Sequence, residues 1–215
     1  MKKYLYLLFA VMTTISSMPL LSCADDDDEI GGFGGRPPKN VEAINLDLPS
    51  GTLWANMNVG ATSPEDYGGY FAWGETKTKD NYTSETYTYT DNPSQLPASA
   101  DAATANWGNN WCMPSSAQFS ELINNCYTEW TTQNGVTGCR FTSKTNGNSI
   151  FLPAARYRGG TSLNLGGLNG YYWSRKLYPY YSYYAWFLDF DSSEIDTYCR
   201  NRYFGRSIRP VRSSE

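Results

Sequence analysis

Seven residues near the C-terminus, Ala185-Trp186-Phe187-Leu188-Asp189-Phe190-Asp191, alternate with period two. That is the pattern of a strand with one buried face. Trp186, Leu188 and Phe190 project to one side; Ala185, Phe187, Asp189 and Asp191 project to the other. Burying the first set contributes roughly 1.5–3 kcal/mol per side chain, so it is assigned to the core together with Trp173. The second set is then expected at the surface. Half of the chain's 18 tyrosines lie between Gly170 and Val211. The run Pro179-Tyr180-Tyr181-Ser182-Tyr183-Tyr184 cannot turn all its rings inward from a strand, and Pro179 points to a loop or a sheet edge. Tyrosine supplies a large contact area at low entropic cost, with a hydroxyl that donates or accepts. The candidate ligand-binding face is therefore Tyr178, Tyr180, Tyr181, Tyr183, Tyr184, Phe187, Asp189, Asp191, Tyr198, Asn201, Tyr203 and Phe204.

Composition narrows the chemistry. A chain of 215 residues suits one domain, with or without a tail. The net charge of -4 hides an asymmetry: after Ala155, nine Arg and Lys face five Asp and Glu, whereas eight face sixteen before it. No basic helix or cluster accompanies this, so no nucleic-acid partner is expected. There is no histidine. Ser-His-Asp and Cys-His nucleophile pairs, histidine metal sites and a histidine proton shuttle are thereby excluded. An enzyme built on carboxylate, lysine or tyrosine chemistry stays open.

The N-terminus reads as an address. Met1-Lys2-Lys3 precedes an apolar run from Tyr4 to Val11, and Leu20-Leu21-Ser22-Cys23 closes the segment. A basic start and a short apolar stretch describe a secretory signal over residues 1–22. Polar residues and Pro19 interrupt the run, leaving it short for a membrane span. Residues 23–40 carry the acidic run Asp25-Asp26-Asp27-Asp28-Glu29, a solvated segment, and then a Gly- and Pro-rich tether. Residues 41–215 are the folded domain.

Within that domain, Val41–Leu48 and Thr52–Val59 read as strands, Ser63–Asp66 as a short helical turn, and Lys77–Ala100 as a long surface loop. Asp101–Ala105 marks a brief helix. The clearest helix begins at Ser115, where Ser115 and Gln118 form a capping box and Phe119, Leu122, Ile123 and Cys126 share one face. Strands and glycine turns follow from Gly138 onward.

Setting Cys23 aside leaves Cys112, Cys126, Cys139 and Cys199, an even count that permits two disulfides in an exported chain. A buried free thiol is the alternative for Cys126. Asp189, Asp191, Glu194 and Asp196 form a carboxylate cluster that suits a solvated face, calcium or acid–base chemistry. Arg206, Arg209 and Arg212 are expected to pair with carboxylates or to cap the sheet.

Several segments together carry a resemblance. Leu48-Pro49-Ser50-Gly51-Thr52-Leu53-Trp54-Ala55, Tyr70-Phe71-Ala72-Trp73-Gly74-Glu75, Ala102-Ala103-Thr104-Ala105-Asn106-Trp107-Gly108, Trp111-Cys112-Met113-Pro114, Phe151-Leu152-Pro153-Ala154-Ala155, Gly170-Tyr171-Tyr172-Trp173-Ser174 and Ser207-Ile208-Arg209-Pro210-Val211 resemble the Fibrobacter succinogenes major paralogous domain of Bacteroidetes lipoproteins. The resemblance covers nearly everything after Asn40. It implies an α+β, C-type-lectin-like fold of the formylglycine-generating-enzyme subclass: a small twisted antiparallel sheet, one or two helices and long loops. Leu20-Leu21-Ser22-Cys23 resembles a lipobox, with lipid on Cys23, and the acidic run is similar to the export signal of surface lipoproteins. A cell-surface-exposed outer-membrane lipoprotein is implied, held to the membrane by its lipid.

The C-terminal tract also resembles that of variable proteins of diversity-generating retroelements, whose adenine-directed mutagenesis rewrites exposed codons to residues such as Tyr, Phe, Asp, Cys and Asn. The candidate binding residues, together with Cys199, are drawn from that set. The lectin calcium signatures are missing, and Cys199 has no neighbouring cysteine for the copper site of the formylglycine-generating enzymes. The expectation is therefore a non-catalytic binding protein without cofactor or metal, whose ligand is a protein or carbohydrate on another cell, phage or host surface. A related cell-surface enzyme and a structural accessory of a surface assembly are the alternatives.

Overall fold

The structure is a computed structural model that describes residues 35–108, 110–164 and 168–213. The proposed signal peptide, Cys23 and the acidic run lie outside the described residues. The chain already touches the domain at the end of the tether, where Gly35 packs against the backbone of Asn106 so closely that a side chain has no room.

The described residues form mostly antiparallel β-sheet with two short helices, an α+β arrangement. In chain order they are β1 (Ala43–Asn45), β2 (Leu53–Ala55), α1 (Ala102–Trp107), α2 (Ser116–Asn125), β3 (Cys126–Gln133), β4 (Val136–Ser143), β5 (Ser149–Pro153), β6 (Tyr157–Gly159), β7 (Ser162–Leu163), β8 (Gly170–Leu177), β9 (Tyr184–Phe190), β10 (Ile195–Asn201), β11 (Gly205–Arg206) and β12 (Val211–Arg212). They pair as four three-stranded sheets, ordered β1-β2-β12, β10-β9-β8, β11-β6-β7 and β3-β4-β5. The pairing of β12 with β2 ties the two ends of the domain together.

The capping box at Ser115 forms as expected. Its side chain accepts from the Gln118 amide, and the Gln118 side chain accepts from the Ser115 amide. Asp101 caps α1 by accepting from the Thr104 amide. The segment Ser63–Asp66 makes a turn rather than a helical one. The hairpin β3–β4 was not anticipated as a whole, because the strand reading began only at Gly138. Its turn, Asn134-Gly135, takes positive φ at both residues (48° and 83°), the backbone that a two-residue hairpin requires.

Strand β9, at the centre of the sheet β10-β9-β8, is buried on both faces. Leu188 and Phe190 of β9 join Tyr172, Phe119, Leu122 and Phe141 in one core. Ala185 and Phe187 enter a second core with Trp73, Trp107 and Trp173 on the opposite face. Two expectations are corrected here. Phe187 is buried, not surface-facing, because β6, β11 and the segment around Phe71–Trp73 cover that side. Trp186 is only half-buried: it shares the face of Leu188 but lies beyond the strands that cover Leu188, and Tyr178 packs on it with ring centres 5.2 Å apart. Gly170 is forced by this packing, since any side chain there would enter the Phe190 ring.

Cys126, Cys139 and Cys199 are free thiols, so these three are not bridged to one another, whereas Cys112 is disulfide-bonded. Burial raises the thiol pKa of Cys126 and Cys139 to about 11 and about 12, which leaves both unreactive at neutral pH.

Candidate functional site

The loop between β8 and β9 is a self-supporting aromatic knot. The Tyr178 amide donates to the Tyr184 carbonyl (3.0 Å) and the Tyr184 amide to the Tyr181 carbonyl (2.9 Å). Tyr178 stacks on Tyr181 at 6.2 Å, Tyr181 leans on Tyr183 at 5.6 Å, and Tyr183 meets Tyr184 edge-on at 4.6 Å. Tyr180, Tyr181 and Tyr183 nevertheless remain 78%, 52% and 55% exposed. These rings are ordered without being buried, so ligand contact costs little further entropy.

Arg202 fastens this loop to the long segment 77–97. It is buried, and its guanidinium donates to Tyr87 Oη (2.7 Å), Asn92 Oδ1 (2.8 Å), the Ser182 carbonyl (2.8 Å) and the Tyr89 carbonyl (2.5 Å). It also lies over the rings of Trp73, Tyr87 and Tyr89. The segment 77–100 was expected to run over the surface, yet it sends Tyr82, Leu96 and Ala100 into the interior. Around Arg202 opens a cavity of about 380 Å³ lined by Tyr89, Asn92, Tyr183, Asn201 and Tyr203.

A second cavity, of about 370 Å³, opens on the other side of Tyr203 and Phe204, whose rings touch at 4.5 Å. Phe187, Asp189, Asp191, Tyr198 and Phe204 line it, with Arg206 at its floor. Of the twelve predicted residues, these five therefore meet in one cavity, and Tyr183, Asn201 and Tyr203 meet in the other. Tyr178, Tyr180, Tyr181 and Tyr184 stay in the aromatic knot.

The carboxylates of the second cavity are not equivalent. Asp191 accepts from the Ser193 amide (2.7 Å), the Ser193 hydroxyl (2.7 Å) and the Glu194 amide (3.0 Å), and these bonds hold its pKa below the usual range. It closes the β9–β10 turn. Asp189 sits beside Tyr171 on the neighbouring strand, and burial pushes its pKa up to about 6 against the opposing charge of Arg206. Tyr198 donates to Glu194 (2.7 Å), and this bond raises its phenol pKa to about 12.

The expectation for the arginines is corrected. Among the described residues, none of Arg206, Arg209 and Arg212 makes an ion pair. Arg209 is satisfied by carbonyls and an amide, and Arg212 lies over the Trp111 ring. Arg206, 2% exposed, lies 3.5 Å from the Phe187 ring centre and 4.4 Å from that of Trp173, and its Nε and one terminal nitrogen have no hydrogen-bond partner. Sequence reasoning passed over Arg206 as a site residue, along with Arg202, Tyr157 and Tyr171. The available signal was an arginine in a tract of aromatic residues with no carboxylate at pairing distance in sequence.

Among the described residues, no group of His, Cys, Asp and Glu is arranged to hold a metal ion, and no helix is long and apolar enough to cross a membrane. In comparisons with family models, curated proteins and solved structures, nothing matched this chain.

Proposed function

We propose that this protein is a surface-anchored, non-catalytic binding protein that takes a protein or carbohydrate ligand on the tyrosine-rich side of its C-terminal hairpins. The observation that carries the reading is the loop of Tyr180, Tyr181 and Tyr183, whose rings are exposed yet fixed by backbone hydrogen bonds and mutual stacking. A rigid aromatic face with polar groups beside it is what a recognition surface uses. The two cavities flanking Tyr203 and Phe204 extend that face. Against an acid–base role for the carboxylate pair stands the commitment of one Asp191 oxygen to three hydrogen bonds in its own turn.

The fold proposed is the C-type-lectin-like one of the formylglycine-generating-enzyme subclass. The joined terminal strands, short helices and long loops support it. The tract from Tyr178 to Phe204 is proposed as diversified by a retroelement. This requires a reverse-transcriptase gene and a near-identical template repeat beside the gene, and their absence from that DNA removes the proposal. Anchoring through lipidated Cys23 at the cell surface predicts that protease shaving of intact cells removes the domain, and that Cys23→Ser releases it from the membrane fraction. Retention of that variant in the membrane would count against the anchor.

The binding reading is tested on a glycan and protein array with the native domain and a Tyr180→Ala/Tyr181→Ala/Tyr183→Ala variant. All three side chains are exposed, so the fold is expected to survive. Ligand signal is expected to fall by about 10–100-fold, as for the loss of two or three aromatic anchors. An unchanged ligand profile would remove the reading.

A further inference from the structure

Resting on the proposed binding face, we propose that the cavity floored by Arg206 takes a sugar ring bearing a single carboxylate, a hexuronate unit of an acidic glycan.

Arg206 is held by rings: Phe187 at 3.5 Å, Trp173 at 4.4 Å, Tyr171 at 5.2 Å and Tyr157 at 5.9 Å. Ring faces satisfy its charge in part, but its Nε and one terminal N–H, both buried, find no acceptor among the described residues. A buried guanidinium with unpaired donors is rare in a finished fold. The planar fork matches a carboxylate through two parallel hydrogen bonds. Asp189 does not fill this role, because no ion pair joins it to Arg206 although both line the same cavity.

The remaining walls choose among anions. Asp191 and Glu194 stand at the same cavity and accept hydrogen bonds only. They oppose a second negative charge, which disfavours phosphate groups, and they suit a ligand with several hydroxyl donors. Phe204, Tyr157 and Tyr171 form a continuous series of edge-on rings at 5.3 and 5.4 Å. Such a wall packs against the C–H face of a pyranose. A volume of about 370 Å³ accommodates one or two sugar rings, within the size range of small-ligand sites.

The charges around Asp189 give the site a pH signature. Arg206 faces it from β11 and Arg200 from β10; Asp191 and Glu194 face it from the turn, and Asp196 is its cross-strand partner on β10. The phenols of Tyr171, Tyr157 and Tyr198 complete the surround. With its pKa at about 6, Asp189 is ionised at neutral pH, and its charge repels a ligand carboxylate approaching Arg206. Below that pH it is neutral and the ligand carboxylate meets Arg206 alone, since a sugar acid keeps its charge near pH 5.

Calorimetry on the whole domain with methyl β-D-glucuronide, methyl β-D-glucoside, N-acetyl-aspartate amide and inorganic phosphate tests this. The glucuronide is expected to bind about tenfold tighter near pH 5 than near pH 7.5, as for one neutralised neighbouring charge. The neutral glucoside is expected to bind on the order of 100-fold more weakly, because it leaves the Arg206 donors unpaired. Asp189→Asn is expected to bind the glucuronide at the higher pH as tightly as the native domain does at the lower, with no pH dependence left. Arg206→Met is expected to abolish binding; should it not fold, the Asp189→Asn result decides. Equal affinity for glucoside and glucuronide, or affinity that rises with pH, would overturn the proposal. Preference for the aspartate amide or for phosphate would overturn the sugar assignment. Failure of the glucuronide to bind, while array ligands still depend on Tyr180, Tyr181 and Tyr183, would remove this inference and leave the binding reading standing.

Discussion

Arg202→Ala is expected to lower global stability by about 2–4 kcal/mol, the range for breaking a buried hydrogen-bonded network. Its four side-chain hydrogen bonds run to two separate segments: Tyr87, Tyr89 and Asn92 on one, Ser182 on the other. No carboxylate takes part, so the charge is balanced by acceptor dipoles and by the rings of Trp73, Tyr87 and Tyr89 at 4.9–5.6 Å. Truncation removes the donor from two carbonyls, an amide oxygen and a phenol at once, and among these Tyr87 and Tyr89 are half-buried. The damage is expected to be local as well as global. Amide exchange at Thr86 and Tyr184, whose hydrogen bonds close the two joined loops, should rise by about 10–100-fold. Ligands that use Tyr183 and Tyr203 should weaken with it. Arg202→Lys keeps the charge but loses the fork, and an intermediate loss is expected. Denaturation midpoints together with residue-resolved exchange read both effects. Native protection at Thr86 and Tyr184 in the alanine variant would show that the loops are held by something else.

What was legible in the sequence follows from how local each determinant is. Helix α2 could be placed because Ser115, Gln118, Phe119 and Leu122 carry its start and its buried face within eight residues. Strand β9 could be placed from its alternation, but the alternation did not say which face is buried, since Trp186, Leu188 and Phe190 on one side and Ala185 and Phe187 on the other are all apolar. Two cores enclose that strand, and this is a property of residues far away in sequence, such as Trp73 and Trp107. The exposed loop tyrosines were readable because consecutive rings next to a proline have nowhere to hide. Asn134-Gly135 was a readable hairpin signal that the strand reading did not use. The arginines were opaque for a physical reason. An arginine in sequence calls for an acceptor, and carbonyls and ring faces, which are everywhere, leave no trace in composition.

Arg209 shows the same physics in a fully buried setting, and Arg209→Met is expected to destabilise the fold by about 2–4 kcal/mol. Arg209 is fully buried. Its Nε donates to Asn58 Oδ1 (2.9 Å), and its terminal nitrogens donate to the carbonyls of Ala55 (3.1 Å) and Phe151 (2.9 Å). Asn58 in turn donates to Tyr172 Oη (3.3 Å), which donates to the Pro153 carbonyl (2.6 Å). One network thus links the ends of β2, β5 and β8. Burial lowers the Arg209 pKa to about 10, so it remains charged at neutral pH. Methionine relieves the desolvation of that charge but leaves three acceptors unpaired, each worth about 1 kcal/mol or more. Arg209→Lys keeps the desolvation cost and reaches fewer acceptors, so near pH 7 it is expected to be the worse of the two. The two variants separate with pH. A buried lysine has a folded pKa below its unfolded one, so as pH rises the folded state sheds the proton first while the unfolded state still binds it, and stability rises. The lysine variant should therefore recover part of its loss between about pH 7 and pH 9, while the methionine variant shifts only with the rest of the protein. Urea midpoints at the two pH values decide it, and a methionine variant as stable as the native chain would mean that the network contributes nothing.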